Sequence, residues 1–190
     1  MKIEVKELVP ERWADFEKLF GSTGACGGCW CMSWRLGKGE KWADIKGDEA
    51  KNRMKTLVLS GEANGLLAYV DDEPVGWCSY GKRTDYARLD RAPSLKCSDA
   101  DQVWSVPCFF IKRSFRGKGI GTTLLKHALR AVSNRGGKVL EGYPSSPYKD
   151  GQRTPDAFAW TGTVSMFEQQ GFKKADEKSS GRLRMRREVK

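Results

Sequence analysis

Hydrophobic and polar positions alternate with different periods along the chain, and each period predicts a helix or a strand. An imperfect alternation over residues 2–9 predicts a first strand, and Pro10 then opens a helix that ends at Gly21. After a long connection rich in glycine, apolar residues at helical spacing predict a second helix from an Asp48 cap to Gly61. The first third of the chain therefore supplies one strand and two helices.

The middle of the chain predicts three strands. Residues 66–70 and 75–80 flank an Asp-Asp-Glu-Pro turn and form a hairpin. Residues 102–112 are rich in Val, Trp and Phe and form a central strand. Pro107 lies inside this strand and has no backbone N–H, so it predicts a bulge or a local break in pairing.

A long amphipathic helix follows the central strand. Its apolar face comprises Ile120, Leu124, Leu125, Ala128, Leu129 and Val132. Residues 138–143 form the next strand, parallel to the central one because a helix connects the two. A short helix over 164–170 and two closing strands, over about 171–178 and 182–188, complete the chain.

The resulting order, β-α-α-β-β-β-α-β-α-β-β, predicts an α+β domain with one parallel crossover. No repeat or linker interrupts residues 1–190, so we expect a single domain. No apolar run approaches the ~18 residues of a membrane span, and the N-terminus lacks the apolar core of a signal peptide. We therefore expect a cytoplasmic protein that does not enter a membrane.

Charge adds a preference for anionic ligands. The chain has 34 Lys and Arg against 24 Asp and Glu, a net charge of +10. Such a field favours nucleic acids, acidic partners or phosphorylated cofactors. A basic-surface module for nucleic acid or an acidic partner is therefore an alternative function. It is not favoured, because the arginines of residues 182–187 alternate with apolar residues as on a solvated sheet face.

The segment after the central strand carries the most informative motif. There a basic turn passes into glycines that open a helix, an arrangement that suits a pyrophosphate. No Walker string is present, and the third position of a Rossmann fingerprint is Thr122. A charged stretch over residues 112–116 also separates the strand from the first glycine, which does not suit a Rossmann turn.

The motif instead resembles the GNAT family of N-acetyltransferases. Arg116-Gly117-Lys118-Gly119-Ile120-Gly121 matches the Arg/Gln-x-x-Gly-x-Gly/Ala signature of that family, and residues 166–172 resemble its last-helix segment. The Cys-Trp-Cys-Met string at 29–32 and the Glu-Gly-Tyr-Pro string at 141–144 resemble a bacterial subgroup. The resemblance implies a mixed, mostly antiparallel sheet of about seven strands flanked by about four helices and splayed between strands 4 and 5.

The same resemblance implies acetyl-coenzyme A as donor and direct acetyl transfer to an amine of a small molecule or peptide. Backbone N–H groups of the turn would hold the pyrophosphate, and the pantetheine would pair with the edge of the central strand. The expected donor-binding residues are Phe109, Phe110, Ile111, Arg116, Gly117, Lys118, Gly119, Ile120, Gly121 and Thr122. Homodimers are common among resembling proteins.

The residues that move protons are less clear from the sequence. The tyrosine that many family members carry on the last helix corresponds to Phe167, and residues 103–111 contain no carboxylate. Glu141 is the first candidate base, with a salt-bridged strand end as the alternative. Tyr143 is a candidate acid unless it packs at the strand end. Cys108 could donate a proton or face the thioester, unless it is simply a buried strand cysteine.

A cysteine cluster lies between the first two helices. Cys26, Cys29 and Cys31 offer three soft ligands, whereas a structural zinc site usually has four. A thiol-based metal or redox sensor on the same scaffold is therefore a further alternative, although we expect no metal.

The family resemblance gives this segment another role, because it lines the acceptor pocket. Trp30, Met32 and Trp34 could form an apolar wall, and Arg35 could bind an acceptor carboxylate. Packing in the core is the alternative for the tryptophans. The identity of the amine is left open by the sequence.

Overall fold

The structure is a computed structural model that describes residues 1–145, 148–149, 152–153, 159–175 and 182–189. Among the helices of these residues, none has both the length and the apolar character needed to cross a bilayer. The part of the predicted closing strand beyond residue 175 lies outside the described residues.

Most strands of the described chain form one seven-stranded sheet in the order β1-β2-β3-β4-β5-β9-β8. Their bounds are β1 (Glu4–Glu7), β2 (Asn64–Val70), β3 (Glu73–Lys82), β4 (Val103–Ile111), β5 (Val139–Gly142), β8 (Lys173–Lys174) and β9 (Met185–Glu188). A separate ribbon pairs β6 (Tyr148–Lys149) with β7 (Gln152–Arg153). Within the sheet only β4 and β5 are parallel, as the described pairings show, and the predicted mixed, mostly antiparallel sheet is confirmed.

Five helices accompany the strands in the described part of the chain. They are α1 (Trp13–Phe20), α2 (Trp42–Ile45), α3 (Asp48–Leu59), α4 (Ile120–Asn134) and α5 (Val164–Gln169). Pro10 starts a 3₁₀ turn that leads into α1, as its fixed φ favours. The sequence did not predict α2, because four residues are too short to show a helical period.

Each face of the sheet carries its own core, because successive side chains of a strand point to opposite faces. Leu67 and Trp77 join the core beneath α1 and α3. Leu66 and Cys78 face the other way and pack with the apolar stripe of α4. A fully buried side chain of this size contributes roughly 1.5–3 kcal/mol. Both cores include side chains of β3 and β4. They therefore fix the position of β4, the strand along which the cavity lies.

The parallel pair β4–β5 separates partway along its length. Pairing ends at Val106 with Gly142, although β4 continues to Ile111. The next residue is Pro107, which has no N–H to donate. At this point β4 also has one residue more than β3, so the register shifts. The predicted bulge at Pro107 is confirmed, and so is the splay between strands 4 and 5.

Candidate active site

A cavity of about 860 Å³ follows the edge of β4 that the splay leaves free. The turn that precedes α4 lines one end, and residues between α1 and α2 line the other. Of the ten expected donor-binding residues, all but Lys118 line this cavity. One opening therefore joins the glycine turn to the free strand edge.

Glycine is required in the turn by its backbone conformation. Gly117 and Gly119 have φ of +73° and +78°, and a Cβ at either position would meet nothing within 4 Å. The space beside both glycines is thus open, and L side chains would be strained there. α4 starts at Ile120 without a side-chain cap, and the first N–H groups of a helix have no acceptor inside it. This turn can accept an anion such as a pyrophosphate.

The free edge of β4 presents backbone groups in a defined pattern. The Phe109 N–H donates to the Trp160 carbonyl at 2.7 Å, and Arg116 Nε donates to the Ile111 carbonyl at 3.1 Å. Because backbone groups of a strand alternate in direction, the Phe109 carbonyl and the Ile111 N–H face the same gap. An extended ligand can pair with these two groups as an added strand would.

Thiols form the wall of the cavity beside the bulge. Cys31 Sγ lies 3.0 Å from Cys108 Sγ and accepts a hydrogen bond from Trp77 Nε1 at 2.7 Å. The hydrogen bond with Cys31 lowers the pKa of Cys108, but burial and the charges of Cys29 and Cys26 together outweigh it, so the net pKa is raised. A hydrogen bond from Cys31 lowers the pKa of Cys29 to about 6. Cys26 also lines the cavity and is exposed.

The described residues include no group of three or more His, Cys, Asp or Glu side chains arranged to hold a metal ion. The three cysteines of the cluster instead line the cavity. The metal-sensor alternative therefore has no ligand set in the described part of the chain.

Glu141 and Tyr143 belong to a buried ionic group. Glu141 pairs with Arg83 Nε at 3.3 Å, Arg184 Nη1 at 3.5 Å and Arg186 Nε at 2.5 Å. The Tyr143 hydroxyl donates to Glu141 Oε1 at 2.8 Å, and burial raises the pKa of Tyr143 well above its usual value. Neither side chain lines the cavity. The geometry thus favours the salt-bridged alternative for Glu141 and the packed alternative for Tyr143 over catalytic roles.

The expected acceptor residues divide into two kinds. Trp34 lines the cavity and donates from Nε1 to the Pro107 carbonyl at 3.1 Å. Trp30 and Met32 are buried in the core beneath α1, which favours the packing alternative. Arg35 does not line the cavity, and its guanidinium lies over the Tyr86 ring, 4.8 Å from the ring centre. An Arg35 clamp on an acceptor is therefore not supported by this geometry.

Sequence reasoning missed one residue that lines the acceptor end of the cavity and two arginines that pack on its aromatic lining. Trp160 lines it and lies 5.7 Å from the Trp34 ring. Arg182 lies over both rings, and Arg88 lies over Trp34. A tryptophan in a long, otherwise polar connection is a usable signal for Trp160. The two arginines have no local signal, since they come from segments 94 residues apart, a separation given by their numbers.

The fold is one that acetyltransferases of known structure share. The sequence model of the acetyltransferase (GNAT) family matches residues 30–144, which is more than half of the chain, and the chain belongs to this family. It is thus an enzyme, an acetyltransferase whose donor is acetyl-coenzyme A. No curated protein matches the sequence.

Solved acetyltransferase structures are similar in fold. PaiA N-acetyltransferase from Thermoplasma acidophilum, in complex with coenzyme A, has 16% identity and a TM-score of 0.56, with 99% of each chain covered. An N-acetyltransferase from Staphylococcus aureus Mu50 has 13% identity and a TM-score of 0.56, with 100% of each chain covered. Ribosomal-protein-alanine N-acetyltransferase from Brucella melitensis has 17% identity and a TM-score of 0.51, covering 95% of this chain and 96% of that one.

Proposed function

We propose that the protein transfers an acetyl group from acetyl-coenzyme A directly to the amine of a small-molecule or peptide acceptor. The observation that carries this proposal is the single cavity that connects the glycine turn with the free edge of β4. A donor needs both features, because its pyrophosphate and its pantetheine are recognised by different backbone groups.

The donor fits the residues that are present. The open space beside Gly117 and Gly119 lets a phosphate approach the backbone, and Arg116 and Lys118 supply positive charge next to it. The Phe109 carbonyl and the Ile111 N–H would pair with the amide groups of the pantetheine. When bound, the donor supplies an acetyl thioester as the electrophile.

The bulge would place the reacting end of the cavity beside Cys108. The raised pKa of Cys108 keeps its thiol protonated at neutral pH, so it can donate a proton to the departing thiolate. The amine nitrogen forms the new C–N bond as the C–S bond breaks. The proton lost from nitrogen returns through water to the Cys108 sulfur, which leaves the thiol unchanged after each cycle.

The Phe109 N–H follows Cys108 directly in β4 and faces the free edge of the strand. Trp160 now accepts its hydrogen bond. A thioester carbonyl that displaced the Trp160 carbonyl would receive the same N–H, which would stabilise the developing oxyanion. The loop at Trp160 would then move when the donor binds.

Four further assignments belong to this proposal. Residues 1–190 act as one catalytic domain, and a homodimer is compatible with it. The strings at 29–32 and 141–144 place the chain in the bacterial subgroup that they resemble. The protein works in the cytoplasm, which the six cysteines support because all are free thiols.

A thermal-shift experiment with acetyl-coenzyme A tests the donor site. At about 100 times its dissociation constant the donor should stabilise the wild type by roughly 2.7 kcal/mol, or several degrees. Gly119→Glu should abolish this shift, because its carboxylate repels the pyrophosphate. Gly136→Glu is the matched control, since Gly136 also has a positive φ, of +73°, and open space around a Cβ, but lies beyond the far end of α4.

Two results would contradict the proposal. The first is a wild type that shows no shift at millimolar acetyl-coenzyme A. The second is a chain that retains an acetyl group by mass spectrometry when the acceptor is omitted, because direct transfer leaves no acyl-enzyme. Cys29, whose pKa is lowered to about 6, is the residue to inspect, because the thiolate is the nucleophilic form of a cysteine.

A further inference from the structure

Two arginines converge on the tryptophans at the acceptor end of the cavity. The guanidinium carbon of Arg182 lies 5.4 Å from the centres of both the Trp34 and the Trp160 rings. That of Arg88 lies 5.9 Å from the centre of the Trp34 ring. The sheet and the loops thus bring two positive charges to one aromatic surface that lines the cavity.

No acidic side chain within the described residues pairs with either guanidinium. Arg88 Nη1 donates to the Ser33 hydroxyl at 3.0 Å, and Arg182 Nη1 donates to the Thr161 hydroxyl at 3.1 Å. Both partners are neutral, so the positive charges are not compensated. Burial, and secondly the charge of Arg88, lower the pKa of Arg182. Two like charges that face one partly desolvated surface favour the binding of an anion between them.

This surface lies at a distance from the pyrophosphate turn. Trp34 bonds to the carbonyl of Pro107, whereas Arg116 bonds to that of Ile111. Ile111 follows Pro107 by four positions in an extended strand, so the two carbonyls lie about 13 Å apart. The turn has its own cations, so the donor does not require this arginine pair.

We propose that Arg88 and Arg182 bind an anionic group, a carboxylate or a phosphate, that the acceptor amine carries. This inference rests on the proposed function and names the class of its acceptor. Guanidinium groups form paired hydrogen bonds with either anion. The indole rings on which they lie help to fix the orientation of the guanidinium planes. The carboxylate-binding role expected for Arg35 thereby passes to a pair of arginines that the sequence did not indicate.

Matched pairs of amines test the inference through the rate of coenzyme A release. α-Amino acids are compared with their carboxamides, and phosphorylated amino alcohols with the free amino alcohols. We expect the anionic member of at least one pair to have a KM lower by roughly 10- to 100-fold. Arg88→Gln and Arg182→Gln should each remove most of this preference, with a smaller effect on the neutral member.

Arg130→Gln is the control for the loss of one positive charge, because Arg130 is exposed on α4 and lies over neither tryptophan ring. The acetyl-coenzyme A shift is measured for every variant. If the wild type binds the donor and acetylates neutral amines as well as anionic ones, the inference is wrong while the proposed function stands. A loss of donor binding in Arg182→Gln would also overturn it, by assigning the pair to the donor. A wild type that binds no donor contradicts both.

Discussion

Two groups of arginines in this protein come from the same two chain segments but have opposite surroundings. Arg83 and Arg186 belong to the closed group, in which Glu141 and two aspartates compensate the charge. Arg88 and Arg182 form the open group, in which the partners are neutral hydroxyls and indole rings. Arg88 follows Arg83 by five positions, and Arg186 follows Arg182 by four, as their numbers show.

The comparison shows how charge compensation separates structural from ligand-binding arginines. A buried guanidinium with a carboxylate partner is already satisfied, so it holds strands together and has little to offer a ligand. A guanidinium next to a cavity, supported by neutral groups, still gains most by binding an anion. Position in the sequence does not distinguish the two, because neighbours along the chain belong to different groups.

The largest expected effect is the loss of the anion from the closed group. Glu141→Gln leaves the fully buried Arg83 without its buried carboxylate, and we expect the free energy of unfolding to fall by about 3–5 kcal/mol. Thermal unfolding should show a decrease of roughly 10 °C. Arg88→Gln, in the open group, is the counterpart and should change stability by less than about 0.5 kcal/mol. Equal effects of the two variants would remove the distinction between the groups.

An intermediate effect should follow if the open group is converted into a closed one. Ser33→Asp places a carboxylate where the Ser33 hydroxyl now accepts from Arg88. We expect a gain in stability of about 0.2–1 kcal/mol and a KM for anionic acceptors that rises roughly tenfold, because the new carboxylate competes with the ligand. Ser33→Asn has the same shape without the charge and should leave KM nearly unchanged. A rise in KM for neutral amines as large as that for anionic ones would instead indicate a steric effect.

The smallest expected effect concerns the stability that the closed group contributes at low pH. A bidentate hydrogen bond from Arg186 lowers the pKa of Asp99 to about 2. Because the folded pKa lies below the unfolded value of about 3.9, this contribution is complete above pH 4 and is lost as the pH falls towards 2. The difference in Tm between wild type and Asp99→Asn should therefore be constant at pH 5 and above and shrink between pH 4 and 3. Asp101→Asn, on the same loop, provides the comparison, and a difference that grows in acid would refute the assignment.

Local signals in the sequence were sufficient to predict the glycine turn and the free strand edge to which we assign the donor. The apolar stripe of α4, the glycines before it and Pro107 in β4 each act on their immediate neighbours, through helical period, positive φ and a missing N–H. The fold followed from the same local signals, with the exceptions of α2 and the short ribbon β6–β7.

The acceptor side depends on contacts between distant segments, which a single sequence does not reveal. Glu141 could be a base or a structural ion, and the decision comes from Arg83, 58 residues before it, and Arg186, 45 residues after it. Trp160 lines the cavity and Arg182 packs on its aromatic lining, and both residues lie outside the helices and strands. A prediction from residue type alone therefore selected Arg35, which has the right chemistry but packs on Tyr86 and does not line the cavity.

The free edge of β4 has a consequence for self-association. An unpaired strand edge is a template on which another chain can add a strand, and proteins commonly cover such edges. Here the Trp160 carbonyl occupies the Phe109 N–H, and the Arg116 side chain occupies the Ile111 carbonyl. These two contacts shield the edge before the donor arrives, while two backbone groups between them stay open for it. The same stretch of backbone is thus protected against aggregation and ready for its ligand.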